Sequence, residues 1–323
     1  MENSGLYSFS AVLHNHFMKL RIRAIFKSLF PLFLMIIFSL ACTRKDPGIQ
    51  GGPAGPGSGS SPAAAEVSVT GTPEADSSAD REIDPDREAF VEDFWRWIFG
   101  EAGLPESIAR RVASSALESP AFVMELLFAL QQDPYTYLLV DKQNPLPLDY
   151  EPDDLVPLRS STYRMGRDGL SLRRIAADAL EEMAAAAARD GIVFTIGSSY
   201  RSGTYQAEVY ERWVRQLGRE AADRVSARPG HSQHQLGLVV DFAPIDNSFA
   251  QTPASQWLAQ NASRFGWSLS YPEGYEHITG YSWESWHYRY AGKDLAAFID
   301  RYFDGIQQYA LKFISAWQEQ AGN

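Results

Sequence analysis

The sequence predicts an α+β fold, in which a small antiparallel sheet is flanked by helices and preceded by a small helical segment. Two kinds of pattern lead to this fold class. Apolar residues recur at helical spacing over 85–132, 168–189 and 204–217. Short runs rich in β-branched and aromatic residues predict strands at 192–196, 238–243, 267–270 and 286–290. Because helices and strands mix without a regular βαβ repeat, an α+β fold is favoured over a parallel α/β sheet.

Composition and charge exclude several classes of protein. The chain has 323 residues, of which 45% are hydrophobic and 21% charged, and its formal net charge is −11. Such a composition excludes a wholly disordered chain and a collagen. The excess of acidic residues disfavours binding to nucleic-acid phosphate and to anionic lipid. The chain has one cysteine, Cys42, so neither an intramolecular disulfide nor a cysteine-based zinc site is expected.

Residues 1–42 are predicted to be an export signal. Four basic residues at positions 19–27 precede an apolar run over 29–42, which is shorter than the roughly 20 residues of a membrane span. Met18 is an alternative start to Met1. The small residues before Cys42 resemble a bacterial lipoprotein signal, and a plain cleaved signal or an uncleaved anchor are the alternatives. We therefore expect an exported, periplasmic or cell-envelope protein whose only membrane contact is a lipid anchor.

The rest of the chain divides into four predicted segments. Residues 43–84 lack a core-forming pattern, because 24 of the 30 residues in 51–80 are Gly, Pro, Ser, Ala or Thr. This composition predicts a flexible linker. Residues 85–133 are predicted to form a helical accessory segment. Residues 134–292 carry the mixed helices and strands, and 293–323 are predicted to form a C-terminal helix.

One polar cluster lies around a predicted strand. His234 precedes Asp241 by seven residues, a spacing that suits a ligand on a loop followed by a carboxylate on a strand. Asp241 interrupts a run of apolar, strand-forming residues. A buried carboxylate there has to be paired or bound to a metal, because an isolated buried charge is too costly. The alternative is an aspartate at a strand end that is hydrogen-bonded to the backbone.

A second cluster supplies the remaining candidate groups. Glu284 and His287 are three residues apart where a loop enters a predicted strand, so the imidazole can bind a metal while the carboxylate reaches a nearby water. Together the two clusters offer a His–Asp–His set and a spare carboxylate, which is typical of a catalytic zinc site. Arg201, directly after another predicted strand, could bind a substrate carboxylate or a developing oxyanion, or form a surface ion pair. His231 and His277 are not counted as ligands.

These motifs resemble those of a known peptidase family. Residues 232–241 resemble its S-x-H-x-x-G-x-A-x-D motif, and 284–287 resemble its E-P-W-H motif. The Ser-Tyr-Arg-Ser sequence and the following glutamine in 199–206 resemble its substrate-side motif. Over about 138–292 the chain is therefore similar to the VanY-type D-alanyl-D-alanine carboxypeptidases. The resemblance implies the fold shared by lysostaphin-type enzymes and the Hedgehog signalling domain.

The resemblance also implies a role for each candidate residue. Zn²⁺ would be bound by His234, Asp241 and His287. Glu284 would be the general base that takes a proton from the attacking water and later gives it to the leaving amine. Arg201 would stabilise the oxyanion or hold the terminal carboxylate of the substrate.

Four further residues would contact the substrate on the same grounds. Gln206 and Ser232 would hydrogen-bond the peptide, and Trp286 would form a wall of the pocket, with Tyr271 as a second wall residue. The implied activity is removal of the terminal D-Ala from peptidoglycan stem peptides.

Two alternatives remain open. An L,D-carboxypeptidase or a peptidoglycan endopeptidase would use the same fold, because the shape of the pocket decides the chirality and position of the bond that is cut. A non-catalytic cell-wall-binding lipoprotein belongs to another class of function, although a pure binder would not need Glu284. We expect a monomer that binds peptidoglycan stem peptide and no nucleic acid.

Overall fold

The computed structural model describes residues 85–322. The predicted export signal over 1–42 and the predicted linker over 43–84 lie outside the described residues. From Pro85 onward the chain groups into one compact unit. The finer division at residues 133 and 292 remains a proposal.

The secondary structure is mixed, as the sequence predicts. The strands are β1 (Leu155–Pro157), β2 (Arg164–Met165), β3 (Ser171–Arg173), β4 (Thr195–Ser198), β5 (Val239–Phe242), β6 (Trp267–Leu269) and β7 (His287–Tyr290). The N-terminal helices are α1 (Pro85–Glu101), α2 (Glu106–Glu118), α3 (Pro120–Leu130) and α4 (Pro134–Tyr137). The later helices are α5 (Arg174–Arg189), α6 (Gly203–Leu217), α7 (Arg219–Val225), α8 (Pro253–Asn261), α9 (Glu276–Thr279), α10 (Lys293–Tyr302) and α11 (Gln307–Gly322).

The central sheet has five strands in the order β2-β4-β5-β7-β6. β4, β5, β7 and β6 pair antiparallel, and β2 joins β4 in parallel at the edge of the sheet. The α+β fold class is therefore confirmed, although the predicted antiparallel sheet is mixed at one edge. A separate two-stranded sheet pairs β1 with β3. Because β3 takes residues 171–173, the helix predicted to begin near 168 begins at Arg174 instead.

The core lies between α5 and the central sheet. One face of α5 is fully buried, with Ala176, Leu180, Met183 and Ala187 spaced three or four residues apart. Small alanine side chains let the helix backbone approach the sheet closely. On the sheet side, the rings of Phe194 and Phe242 lie 5.0 Å apart. This packing fixes the strands that carry the polar clusters.

The N-terminal and C-terminal helices share an aromatic cluster. The ring of Phe122 in α3 lies 5.2 Å from that of Phe298 in α10 and 6.1 Å from that of Phe313 in α11. The single helix predicted over 293–323 is wrong, because the chain forms two helices with a break at 303–306. Asp304 and Gly305 have φ angles of 55° and 73°, and this left-handed backbone cannot continue an α-helix.

Among the described residues, no single helix has both the length and the apolar character needed to cross a membrane. Helices α2 and α3 satisfy the criterion only when they are taken together, and they are bent by 104° at the break between them.

Candidate active site

Pairing of β5 with β7 places two of the predicted ligands side by side. Asp241 and His287 are direct partners in this antiparallel register. His234 lies in the short 3₁₀ helix that precedes β5, where the Ser232 hydroxyl accepts a hydrogen bond from the His234 backbone N–H at 3.3 Å. Gly237 ends this turn in the left-handed conformation, which glycine adopts without steric cost. The turn therefore brings His234 back over the start of the strand.

The three side chains converge and fit a divalent metal. Their ligand atoms lie within 4.8 Å of one another, and each residue is buried. Asp241 Oδ2 lies 3.1 Å from His234 Nε2, and Asp241 Oδ1 lies 3.3 Å from His287 Nδ1. Asp241 Oδ1 is buried without a hydrogen-bond partner among the described residues, so it is available as a ligand. A buried set of two imidazoles and one carboxylate is consistent with zinc binding.

A backbone contact sets the tautomer of His234. Its Nδ1 donates a hydrogen bond to the Ser199 carbonyl oxygen at 2.7 Å, because a carbonyl can only accept. The lone pair of Nε2 then faces Asp241, as a metal ligand requires. Burial lowers the pKa of His234 to about 4, so this ring is neutral at pH 7.

The other two ligands carry opposite charges in the absence of a metal. Burial works to raise the pKa of Asp241, but the positive charge of the neighbouring His287 holds it well below its usual value. Burial works to lower the pKa of His287, but the adjacent carboxylates of Asp241 and Glu284 raise it to about 9. A metal ion would therefore replace a proton on His287.

Glu284 lies beside this group and faces a cavity. Its Oε2 is 3.0 Å from His287 Nδ1, and its side chain is 17% exposed. The Glu284 backbone N–H donates to the Tyr271 carbonyl oxygen at 3.0 Å, which fixes the loop before β7. Burial raises the pKa of Glu284. A carboxylate with a raised pKa can accept a proton and release it again near neutral pH.

Neighbouring polar side chains fix the orientation of the Arg201 guanidinium. Its guanidinium donates to Gln206 Oε1 at 2.7 Å and to Ser198 Oγ at 3.1 Å, and it lies 3.9 Å from Asp241 Oδ2. The contact predicted between Gln206 and the peptide stays a prediction. Gln206 is 1% exposed, and its Nε2 donates to the Ala227 carbonyl oxygen at 2.6 Å. Both ends of the amide are therefore engaged inside the protein, and Gln206 positions Arg201.

The metal-binding group opens into a cavity of about 380 Å³. Of the residues predicted for the site, the lining includes Arg201, Ser232, His234, Asp241, Tyr271, Glu284, Trp286 and His287. The Tyr271 ring lies 4.6 Å from the His287 ring and so closes one side of the group. The structure thus places every predicted site residue except Gln206 on one surface.

Sequence reasoning missed part of the cavity wall. The periodicity of α6 predicts that Val209 and Trp213 face the core, yet both line the cavity, and Trp213 is 38% exposed. Ile245 and Trp283 complete this apolar wall. The available signal was the i, i+4 spacing of Val209 and Trp213 on the helix that directly follows Arg201.

The two other histidines in the described residues stay away from the metal-binding group. His231 Nδ1 donates to the Asp141 carbonyl oxygen at 2.8 Å. The His277 ring stacks on that of Tyr275 at 6.3 Å. Neither residue lines the cavity that contains the group.

Comparison with known proteins identifies the family. A family model described as VanY, D-alanyl-D-alanine carboxypeptidase, matches residues 169–293. The chain is 35% identical over 192 residues to the putative carboxypeptidase YodJ of Bacillus subtilis (strain 168), with 55% of this chain and 70% of that protein covered. The chain belongs to the VanY family. It is also 30% identical over 188 residues to a D-alanyl-D-alanine carboxypeptidase of Enterococcus faecalis, covering 53% of this chain and 63% of that one.

Similar solved structures cover about the same part of the chain. The LdcB LD-carboxypeptidase is 34% identical, with a TM-score of 0.48, covering 54% of this chain and 89% of that chain. VanYB in complex with D-alanine-D-alanine is 32% identical, with a TM-score of 0.45, covering 53% of this chain and 94% of that chain. The VanY match includes all the residues of the metal-binding group, whereas α1–α4 and α11 lie outside it.

Proposed function

We propose that this protein is an exported, zinc-dependent D-alanyl-D-alanine carboxypeptidase that removes the terminal D-Ala from peptidoglycan stem peptides. The observation that carries the proposal is the convergence of His234, Asp241 and His287 beside Glu284 at one cavity. Membership of the VanY family supports the same reaction. The basic and apolar pattern over 18–42 supports export, and Cys42 supports a lipid anchor.

The buried histidines and aspartate would hold the zinc ion. When bound there, zinc polarises the scissile carbonyl and lowers the pKa of water in the site. The three ligands come from separate segments, so binding of the ion would depend on the folded domain and not on one loop alone. Ser199 supports this arrangement, because its carbonyl orients His234.

Glu284 would move the proton. The water oxygen attacks the carbonyl carbon of the peptide bond between the two D-Ala residues, and the proton that it loses passes to the Glu284 carboxylate. When the C–N bond breaks, the same proton passes to the nitrogen of the leaving D-Ala. The raised pKa of Glu284 suits both steps, since the group has to be a base first and an acid later.

Arg201 would supply positive charge where the substrate is negative. Its guanidinium lines the cavity and is fixed by Gln206 and Ser198, so it is oriented before the substrate binds. The two negative groups of the reaction are the terminal carboxylate and the oxyanion that forms during attack. An oriented guanidinium can hydrogen-bond either group with two N–H donors.

The test uses the full chain loaded with zinc and a pentapeptide stem that ends in D-Ala-D-Ala. Mass spectrometry should show tetrapeptide and free D-Ala. Tetrapeptide stem and a cross-linked dimer serve as parallel substrates. Cleavage of the tetrapeptide alone would make the enzyme an L,D-carboxypeptidase, and cleavage of the dimer alone would make it an endopeptidase. Zinc-loaded protein that cuts none of the three would overturn the proposal.

A further inference from the structure

A second, smaller pocket adjoins the cavity that contains the metal-binding group. Its volume is about 150 Å³. Ser226 and Tyr281 line both spaces, so the two are neighbours on one surface. The remaining lining residues are charged or titratable: Lys142, Asp223, Arg228 and His231. We refer to this space as the Lys142 pocket.

Two of these charges neutralise each other. The guanidinium of Arg228 donates to both carboxylate oxygens of Asp223, at 2.9 and 2.7 Å. The hydroxyl of Tyr210 also donates to Asp223, at 2.7 Å. A carboxylate with three such donors has little remaining capacity to attract Lys142. The Arg228–Asp223 ion pair therefore forms part of the pocket wall and adds almost no net charge to the pocket.

Lys142 is the cation of this pocket that no carboxylate pairs with. Its Nζ donates to the backbone carbonyl oxygen of Asp223 at 2.7 Å and lies 4.7 Å from the centroid of the Tyr281 ring. Its stem lies against Gly280, where an added Cβ would come within 2.9 Å of Lys142 Cδ. Lys142 forms no salt bridge with any residue in 85–322, so its ammonium has donors to spare. The side chain is exposed, yet its charged end has a defined place.

We propose that the Lys142 pocket binds a carboxylate of the substrate peptide on the amino-terminal side of the bond that is cut. The inference rests on the proposed function, because it assumes that a peptide occupies the adjoining cavity. An ammonium that forms no salt bridge with residues 85–322 and lies beside the cavity is a local site for an anion. The ligand class is thus a peptide with an acidic residue upstream of D-Ala-D-Ala.

The experiment compares two peptides that end in D-Ala-D-Ala and differ in one upstream group, a free carboxylate in one and its carboxamide in the other. The zinc-loaded protein should show kcat/KM about tenfold higher for the carboxylate, as expected for one charge-assisted hydrogen bond. Lys142→Met should abolish this preference, whereas Lys142→Arg should retain it. Lys293→Met is the matched control, since Lys293 pairs with Glu182 and lines neither pocket.

An equal rate on both peptides for the unmodified protein, or an unchanged preference in Lys142→Met, would overturn the inference. Binding measurements distinguish failure of this inference from failure of the proposed function. Calorimetry with the Glu284→Gln variant reports the affinity for each peptide without turnover. Tighter binding of the carboxylate peptide that depends on Lys142 would support the pocket even if neither peptide is cut, and equal affinities would reject it.

Discussion

Glu284 is more exposed than the three predicted metal ligands and lies at the edge of their group. The side chains of the ligands are 5–6% exposed, whereas the Glu284 side chain is 17% exposed and faces the cavity. It touches His287 at 3.0 Å but is not one of the three groups whose atoms converge. This position, at the edge of the metal-binding group and open to the cavity, is consistent with the general-base role that we propose for Glu284.

The first prediction separates these two roles. Glu284→Ala should lower kcat for D-Ala release on the order of 10³-fold, because the proton acceptor is lost. The zinc content should stay at the level of the unmodified protein. Both quantities are measured on the same preparation, by coupled D-Ala assay and by elemental analysis. Loss of zinc together with activity would make Glu284 a ligand, and unchanged activity would mean that the protein does not use it as a base.

Trp213 carries a prediction about substrate contact. It lies 38% exposed on the cavity wall, so Trp213→Ala should raise KM about fivefold through lost apolar contact. The free energy of unfolding should change by less than about 0.5 kcal/mol, since the residue is not in the core. Leu217→Ala, at an exposed position on the same helix that does not line the cavity, is the control and should leave KM unchanged. A core role would instead appear as a large loss of stability.

At the scale of elements, helix α11 supports the loops around the site. Gln308 Nε2 donates to Asp141 Oδ2 at 2.8 Å, and both residues are buried. The other oxygen of Asp141 accepts hydrogen bonds from the backbone N–H groups of Gln143 and Asn144, which shapes the turn before the Lys142 pocket. The C-terminal helix therefore helps to hold a loop that lies far away in sequence.

Removing this contact should destabilise the fold. Gln308→Leu leaves a buried carboxylate oxygen without its donor, which should lower the free energy of unfolding by about 2 kcal/mol in urea. Gln318→Leu, at an exposed position on the same helix, should change it by less than about 0.5 kcal/mol. Equal effects of the two substitutions would show that the hydrogen bond contributes no stability.

Asp223 carries a prediction about pH. Hydrogen bonds from Arg228 lower its pKa from 3.8 to about 2. Because the pKa of the folded state lies below that of the unfolded state, the stabilisation is complete above about pH 4 and is lost as the pH falls towards 2. Arg228 is 58% exposed, so solvent screening limits the gain at pH 7 to about 1 kcal/mol.

The variant Asp223→Asn isolates this contribution. Urea unfolding should show it to be about 1 kcal/mol less stable than the unmodified protein at pH 7, and the two should converge near pH 2. Other acid-sensitive groups act on both proteins alike and cancel in the difference. A difference that stays constant between pH 7 and pH 2 would contradict the ion pair as its source.

Sequence patterns predicted strand β5 and the position of Asp241, but not the surroundings of Trp213 and Gln206. Strand β5 and the position of Asp241 followed from an apolar run interrupted by one acid, because a carboxylate inside such a run needs a partner. The periodicity of α6 could not tell Trp213 from a core residue, since a cavity wall and a core are both apolar. The direction in which Gln206 points depends on Ala227, about twenty residues further along the chain, and no local pattern encodes such a contact.

At the scale of the whole molecule, the helices outside the VanY match join the two ends of the described chain. Helices α1 and α3 contribute rings to the same aromatic cluster as α10 and α11, and Trp97 lies 6.3 Å from Phe313. Arg289 in β7 links the segment around α4 to the central sheet, because its buried guanidinium donates to three carbonyl oxygens between Tyr135 and Leu138. The segments that carry the ligands are thus fixed by packing over the full described length.

The central claim is that this fold brings two imidazoles and one carboxylate from separate segments to a single divalent ion. The most direct test is the zinc content of the purified protein, compared with that of Asp241→Ala at equal free zinc. We expect one zinc per chain in the unmodified protein and close to none in the variant. No bound zinc in the unmodified protein, or one zinc per chain in both, would contradict the claim.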